Sequence, residues 1–407
     1  ARLSGDALIG HVRYPTTEVG GMENIQPFRM SCRAGCFALA HNGNIVNAAS
    51  IKGRLEMLGQ LFHSTSDSEL FAHLIGGQAS GGWTARIIAA ANQLDGAFST
   101  VILADGVLYA CRDKYGFRPL SIGRLGDGYV VASETCALDS VHAHFVRDIE
   151  PGEILVFSRE GIRSMREHCN TKEKRLCVFE HIYFARPDSI VDGVSVHEAR
   201  VRAGRCLARR HPVEADVVIG VPDSGLDAAL GYAQASGIPY GVGFIKNRYI
   251  GRTFISPGQS AREDLVRIKL NPISSVVKGK RLVVVDDSIV RGATSARFVN
   301  LLREAGATEV HLRISSPPFL NPCYYGTDID SRENLVACHH TVEETAAMIG
   351  ADTLGYLPVE DLSYLVGKES REGFCDACFT DDYPTQIPQE AEKSRFEYKI
   401  SERKGRK

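Results

Sequence analysis

Apolar and polar positions change their rhythm near the middle of the chain. Up to about residue 168, short apolar runs alternate with turn residues: ALIGHVRY, CFALAHNGNIVN, FSTVILADGVLYACRD, GYVVASET and GEILVFS. Runs of this kind read as strands joined by hairpins. Helical spacing intervenes near Ala48–Leu61, Ser68–Leu74 and Ala85–Leu94. The pattern predicts an α+β region dominated by antiparallel hairpins. The charged stretch Met165–Arg175, MREHCNTKEKR, breaks the pattern and reads as a linker. From about residue 176 strand and helix patterns alternate: ADVVIGV, a helix over Leu226–Ala235, YGVGFI, Leu282–Val285, a helix over Thr294–Ala305 stopped at Gly306, and EVHLRISS. That alternation predicts an α/β domain with a parallel sheet. Leu282–Val285 is too short for a helix and is β-branched, as a strand covered on both faces would be.

The strand Leu282–Val285 runs into VDDSIVRGATS, where two adjacent carboxylates precede a glycine and several hydroxyls. In open α/β sheets this loop lies at the carboxyl end of a strand, where ligands bind, and the following helix N-terminus favours anions. Ser288, Gly292, Thr294 and Ser295 supply hydroxyls and close backbone approach for a phosphate. Asp286 and Asp287 repel that phosphate, so they face sugar hydroxyls or a divalent cation. A ligand with a ribose and a phosphate satisfies both halves. The plainer alternative is a solvated acidic turn with Asp287 or Ser288 as helix cap. A second loop, VIGVPDSGLDAALGYA, leaves a strand at Val221 and opens a helix near Gly225.

Composition narrows the class without naming a function. The 407 residues, 44% hydrophobic and 24% charged, allow two or three domains with cores of their own. A net charge of -2 gives no general attraction to nucleic acid or to an anionic membrane, and no apolar run reaches the roughly 18 residues of a membrane span. Eleven cysteines scattered over the chain suit a reducing compartment, the cytoplasm, with some of them binding metal. Cys375 and Cys378 stand at CxxC spacing, which by itself leaves zinc, an iron-sulfur cluster and a redox pair open. The start has no initiator Met and no signal-like segment, and Ala7–Gly10 reads as a strand, so the chain is expected to begin partway into a domain, with any targeting sequence upstream. Residues 392–407, with seven Lys or Arg, read as a solvated tail.

The VDDSIVRGATS loop in its parallel α/β setting resembles the type I phosphoribosyltransferases. The resemblance implies that Asp286 and Asp287 grip the ribose of phosphoribosyl pyrophosphate (PRPP), directly or through Mg2+. It gives the 5-phosphate to Ser288, Arg291, Gly292, Thr294 and Ser295, and makes Ser224 of the second loop a Mg2+ ligand. The basic stretch between the loops, with Lys246, Arg248 and Arg252, resembles a flap over the pyrophosphate. Arg291-Gly292, where many of these enzymes carry Thr-Gly, resembles the glutamine PRPP amidotransferase branch. In the first region GHVRYPT, HNGNIVN and STSDSE resemble the N-terminal-nucleophile glutamine amidotransferases, which implies stacked antiparallel sheets with helical layers. That match implies Arg13 for the glutamine carboxylate, Asp67 for its amino group, and Asn42 with the Gly43 amide as oxyanion hole. The family's nucleophile is an N-terminal cysteine that uses its own α-amine as base, and it lies upstream of ALIGHVRYPT. None of the eleven cysteines here fits that role, so these 407 residues are expected to be ammonia-dependent only, or inactive.

The resemblance also implies a 4Fe-4S cluster on Cys177, Cys323, Cys375 and Cys378, since the iron-sulfur members add a cysteine in CVFEHIYFARPDS and another in NPCYYG. Its boundaries are residues 1–170 for the glutamine domain, 171–384 for the transferase domain and 385–407 for a tail. The activity it implies is the first committed step of purine biosynthesis, with purine nucleotides as feedback inhibitors and a homo-oligomeric state. A non-catalytic PRPP or nucleotide sensor is the rival from another class.

Overall fold

The computed structural model describes residues 5–12, 22–247, 270–329, 331–367 and 372–388. Both rhythms of the sequence appear in it. The first region contains β1 (Phe28–Cys32), β2 (Gly35–Ile45), β3 (Gly96–Ala104), β4 (Val107–Arg112), and, further on, β8 (Ile154–Ser158) and β9 (Gly161–Met165). These pair antiparallel in the order β1-β2-β3-β4-β8-β9. Helices α1 (Ala48–Met57), α2 (Asp67–Gly76) and α3 (Trp83–Ala91) bury their apolar faces with this sheet around Leu39, Phe71, Ile75, Ile87 and Ile102. A smaller sheet of β5 (Ser121–Leu125), β6 (Gly128–Ala132) and β7 (His144–Asp148) has β5 in the middle. A second apolar cluster, with Leu120, Ile122, Leu155 and Phe157, lies between the two sheets.

Ala7–Gly10, expected as a strand, has no regular structure. A strand needs a neighbour for its amides and carbonyls, and no described segment pairs with these residues.

The segment after Met165 binds the halves together. β10 (Leu176–Cys177) pairs in parallel with β19 (Phe374–Cys375), almost two hundred residues further on. Between them lie the hairpin of β11 (Ile190–Val191) with β12 (Val194–Ser195), helices α5 (Val196–Arg210) and α6 (Gly225–Ser236), and the ribbon of β14 (Phe244–Lys246) with β15 (Leu270–Pro272). The second sheet, β13 (Val217–Gly220), β16 (Arg281–Asp286), β17 (Glu309–Ile314) and β18 (Thr353–Tyr356), is parallel throughout. Val283 to Val285 are fully buried, as a strand covered on both faces requires. The short helix Thr135–Ser140, counted as α4, and α7 (Ala293–Glu304) complete the elements used below.

One apolar cluster joins Phe117 and Ala97 of the first region to Phe179, Tyr325 and Phe374. Two buried ion pairs cross the same boundary. Arg112 donates from both terminal nitrogens to Asp192, at 3.0 Å each, and Arg118 reaches Glu180 at 2.6 Å. Buried pairs are costly to break because a lone buried charge remains, so they fix how the two halves meet. No helix among the described residues is long and apolar enough to cross a membrane.

Candidate active site

β16 delivers two carboxylates to one point. Asp286 is its last residue and Asp287 the next, and they are only 7% and 8% exposed. Ser224, at the end of the loop after the neighbouring strand β13, donates its hydroxyl to one oxygen of Asp287, and Ser288 donates to the other. One oxygen of Asp286 accepts from the Asp287 amide at 3.0 Å. The two loops can meet because β13 and β16 are adjacent and because the approach is glycine-lined. A Cβ on Gly225 would sit 2.4 Å from the Val285 carbonyl oxygen. Burial, then the charge of Asp287, raises the proton affinity of Asp286 well above the ordinary carboxylate range. Asp287 is also raised, burial again coming first, with its two hydroxyl partners opposing. Two carboxylates pressed together in a dry corner are a pair that a cation could bridge by Coulomb attraction.

Past the acids the chain turns at Gly292, whose φ of +80° favours glycine, and enters α7. Ser295 is buried in its first turn and Thr294 is exposed. Gly292, Thr294 and Ser295 therefore stand at one helix N-terminus, where unpaired amides favour an anion, and Ser288 precedes them on the loop with its hydroxyl on Asp287. Arg291 lies on the same loop. Arg248, Arg252 and most of the basic stretch between the loops lie outside the described residues. Lys246 is described and forms an ion pair with Asp223 of the second loop.

In the first region, Asn42 lies on β2 opposite Ser99 of β3, and Gly43 lies opposite Phe98. Gly43 has φ +148°, and a Cβ there would fall 2.1 Å from the Ala97 carbonyl oxygen. Asp67 opens α2, with Ser66 as its cap, and accepts from the Ile45 amide at 2.9 Å, two residues beyond Gly43. Asn42, Gly43 and Asp67 are thus gathered at one end of β2. His41, not singled out in the sequence, packs behind them with Nδ1 3.0 Å from the Ser68 hydroxyl and 3.7 Å from Asp67. Arg13 lies outside the described residues.

The four cysteines converge from distant segments. Cys177 and Cys375 are paired in register across β10 and β19. Cys378 offers its carbonyl to the amides of Leu320 and Asn321, both at 3.0 Å, just before Cys323. Cys177 feels the charge of Cys323, Cys375 that of Cys177 and Cys323, and Cys378 that of all three. Burial pushes the Cys177 thiol up to about 12 and carries Cys375 and Cys378 well above their ordinary value. Among the described residues, no three His, Cys, Asp or Glu side chains close up enough to hold a metal ion as they stand. The donor set is nonetheless all sulfur, and the Tyr325 amide donates to the Cys323 sulfur at 3.4 Å. A soft, dry, sulfur-only set with an amide aimed at one sulfur fits an iron-sulfur cluster; a single hard cation would want oxygen.

Two residues near these sites escaped the sequence reading. Arg200 of α5 is buried, donates to the carbonyls of His181 and Ala185 at 3.0 and 2.7 Å, and faces the charges of Asp227 and Asp287. Arg118 is buried near Cys177 and Cys323. An arginine in a polar sequence context carries no mark of burial, since only packing decides which charges lose their water.

Family models of a glutamine amidotransferase domain and a phosphoribosyl transferase domain match residues 12–140 and 198–316. The amidophosphoribosyltransferase of Bacillus subtilis is 52% identical over 397 residues, spanning 96% of this chain and 83% of the relative. That of Archaeoglobus fulgidus is 47% identical, spanning 95% and 85%. The solved glutamine PRPP amidotransferase of B. subtilis, complexed with ADP and GMP, superposes with a TM-score of 0.86 at 51% identity, over 93% of this chain and 83% of that one.

Proposed function

The chain belongs to the amidophosphoribosyltransferases, and from that premise we propose that its two clusters are the two active sites of a purine-pathway enzyme. It is a pentosyltransferase with a glutamine amidotransferase domain. The reaction takes PRPP and glutamine, or ammonia in its place, to 5-phosphoribosylamine, pyrophosphate and, from glutamine, glutamate. The observation that carries this reading is the buried pair Asp286 and Asp287, met by Ser224 and followed by a helix N-terminus.

Asp286, Asp287 and Ser224 would hold Mg2+ with the ribose. Ser288, Arg291, Gly292, Thr294 and Ser295 would hold the 5-phosphate, with Arg252 on the pyrophosphate. Displacement at the anomeric carbon develops positive charge on the ribose, which buried carboxylates stabilise. Bound Mg2+ supplies charge neutralisation for the departing pyrophosphate. In the first domain Arg13 and Asp67 would orient glutamine by its carboxylate and amine, while Asn42 and the Gly43 amide would face the oxygen that gains charge. Cys177, Cys323, Cys375 and Cys378 would carry a 4Fe-4S cluster that ties the linker to the end of the second domain. Purine nucleotides as inhibitors accord with the nucleotide-bound relative, and a homo-oligomeric state is part of the same proposal.

The test supplies ammonia, so that the transferase half is assayed without glutamine chemistry. Phosphoribosylamine should form from PRPP, Mg2+ and ammonia, and replacing both Asp286 and Asp287 by Asn should cut turnover well over tenfold while leaving the fold intact. Unchanged turnover in the double variant removes the assignment.

A further inference from the structure

Gly43 is awkward as the donor of an oxyanion hole. Glycine has the most conformational freedom of any residue, yet such a donor must stand still within a few tenths of an ångström. On one side the β2-β3 ladder fixes it, with Asn42 opposite Ser99 and Gly43 opposite Phe98. On the other side the wall comes from the second domain. A Cβ on Gly326 would lie 3.4 Å from the Gly43 carbonyl carbon and 2.9 Å from an Arg118 guanidinium nitrogen. One residue after Gly43, the Asn44 side-chain amide donates to the Tyr324 carbonyl at 2.8 Å.

The wall is itself stiff. Tyr325 stacks on Phe117 with ring centroids 4.1 Å apart and interplanar angle 15°, its hydroxyl lies 2.9 Å from the Thr385 hydroxyl, and its amide points at the Cys323 sulfur. Gly326 has φ +106°, which lets its backbone lie flat against Gly43 with no side chain between.

Resting on the reading of Asn42 and Gly43 as an oxyanion hole, we infer that the Cys323–Gly326 turn of the transferase domain braces that hole, with Asn44 and Gly326 as positioning residues for glutamine hydrolysis. The glutamine half is therefore finished by the other half. The brace acts on the donor and not on the groups that bind glutamine's carboxylate and amine, so its loss should lower kcat with glutamine and spare KM. Ammonia-dependent synthesis draws on Asp286 and Asp287 and should be untouched.

The experiment uses the enzyme expressed from its complete reading frame and measures glutamate release, glutamine-dependent and ammonia-dependent phosphoribosylamine formation. Asn44→Asp keeps the shape but turns an acceptor toward the Tyr324 carbonyl; Asn44→Ala removes the contact; Gly326→Ala inserts a methyl between the domains. Each Asn44 variant should lose about tenfold or more in glutamine kcat, with glutamine KM and ammonia turnover unchanged. Should Gly326→Ala fail to fold, the Asn44 pair still decides. Unchanged glutamine kcat in the Asn44 variants overturns the inference, and so does a parallel fall of glutamine and ammonia activities, which would mean a merely structural contact. A wild-type enzyme unable to use ammonia would instead strike the reading of the transferase site.

Discussion

Asp286→Asn should make the metal-free protein more stable and the enzyme nearly inactive. Burial and the neighbouring Asp287 raise the proton affinity of Asp286 well above the ordinary carboxylate range. The sign follows from linkage. A raised carboxyl binds protons more tightly folded than unfolded, so stability falls as pH rises from the ordinary carboxylate range through the raised value, and the full penalty persists above it. Asparagine keeps the oxygen that accepts from the Asp287 amide at 3.0 Å and carries no charge to desolvate. Each pKa unit of that elevation is worth about 1.4 kcal/mol, so the variant should gain at least about 1 kcal/mol in chelator near pH 8. For a domain of this size that is about 2–4 °C in Tm. Saturating Mg2+ and PRPP should reverse the order, because ligand at about a hundred times Kd adds roughly 2.7 kcal/mol to the wild type only. Losing about 3 kcal/mol of charge stabilisation in the transition state corresponds to a fall of roughly a hundredfold in ammonia-dependent turnover. The assay is thermal unfolding in chelator and with ligands, beside a turnover measurement. A variant that melts lower than wild type in chelator, or that retains turnover, refutes the reasoning.

On the proposal that the Asp67 charge meets the glutamine amine, Asp67→Asn should raise the glutamine KM about tenfold or more, with the ammonia reaction unaffected; equal losses in both would point to misfolding of α2. Anaerobically purified protein should contain iron and labile sulfide, and Cys375→Ser should lose both and unfold at lower temperature, whereas stoichiometric zinc without sulfide would exclude the cluster. Glu69 is pushed up by burial, but His73, whose Nε2 lies 3.7 Å from the carboxylate, and hydrogen bonds from the His63 amide and from Ser64 outweigh this and draw it to about 2. That depressed value stabilises the fold above the ordinary carboxylate range by about 3 kcal/mol, a contribution lost as pH falls toward 2. Glu69→Gln should therefore cost stability in urea at pH 7, with wild type and variant converging near pH 2, and a constant difference across that range would contradict the assignment.

Local patterns in the sequence were enough for the layout of both regions. The short apolar runs before residue 168 became antiparallel strands and the strand-helix alternation after 176 became the parallel sheet, with α7 at Ala293–Glu304 against an expected Thr294–Ala305. Such signals are legible because the period of a strand or helix is a property of a few consecutive residues. The chemistry offered by VDDSIVRGATS is local in the same way, since its acids, glycine and hydroxyls stand within eleven consecutive residues.

Packing decided the rest. Nothing near Asp287 in the sequence says that Ser224, 63 residues earlier, will donate to it; the order of β13 and β16 in the sheet does. Cys177 meets Cys375 because β10 and β19 pair. Ala7–Gly10 looked like a strand and had no described partner to make it one. Arg112, Arg118 and Arg200 carry no mark of burial in the sequence, and only the folded chain takes them out of water. Periodicity reports which face of an element is apolar, whereas neighbours, burial of charge and the contact of Gly326 with Gly43 depend on how all the faces are covered at once.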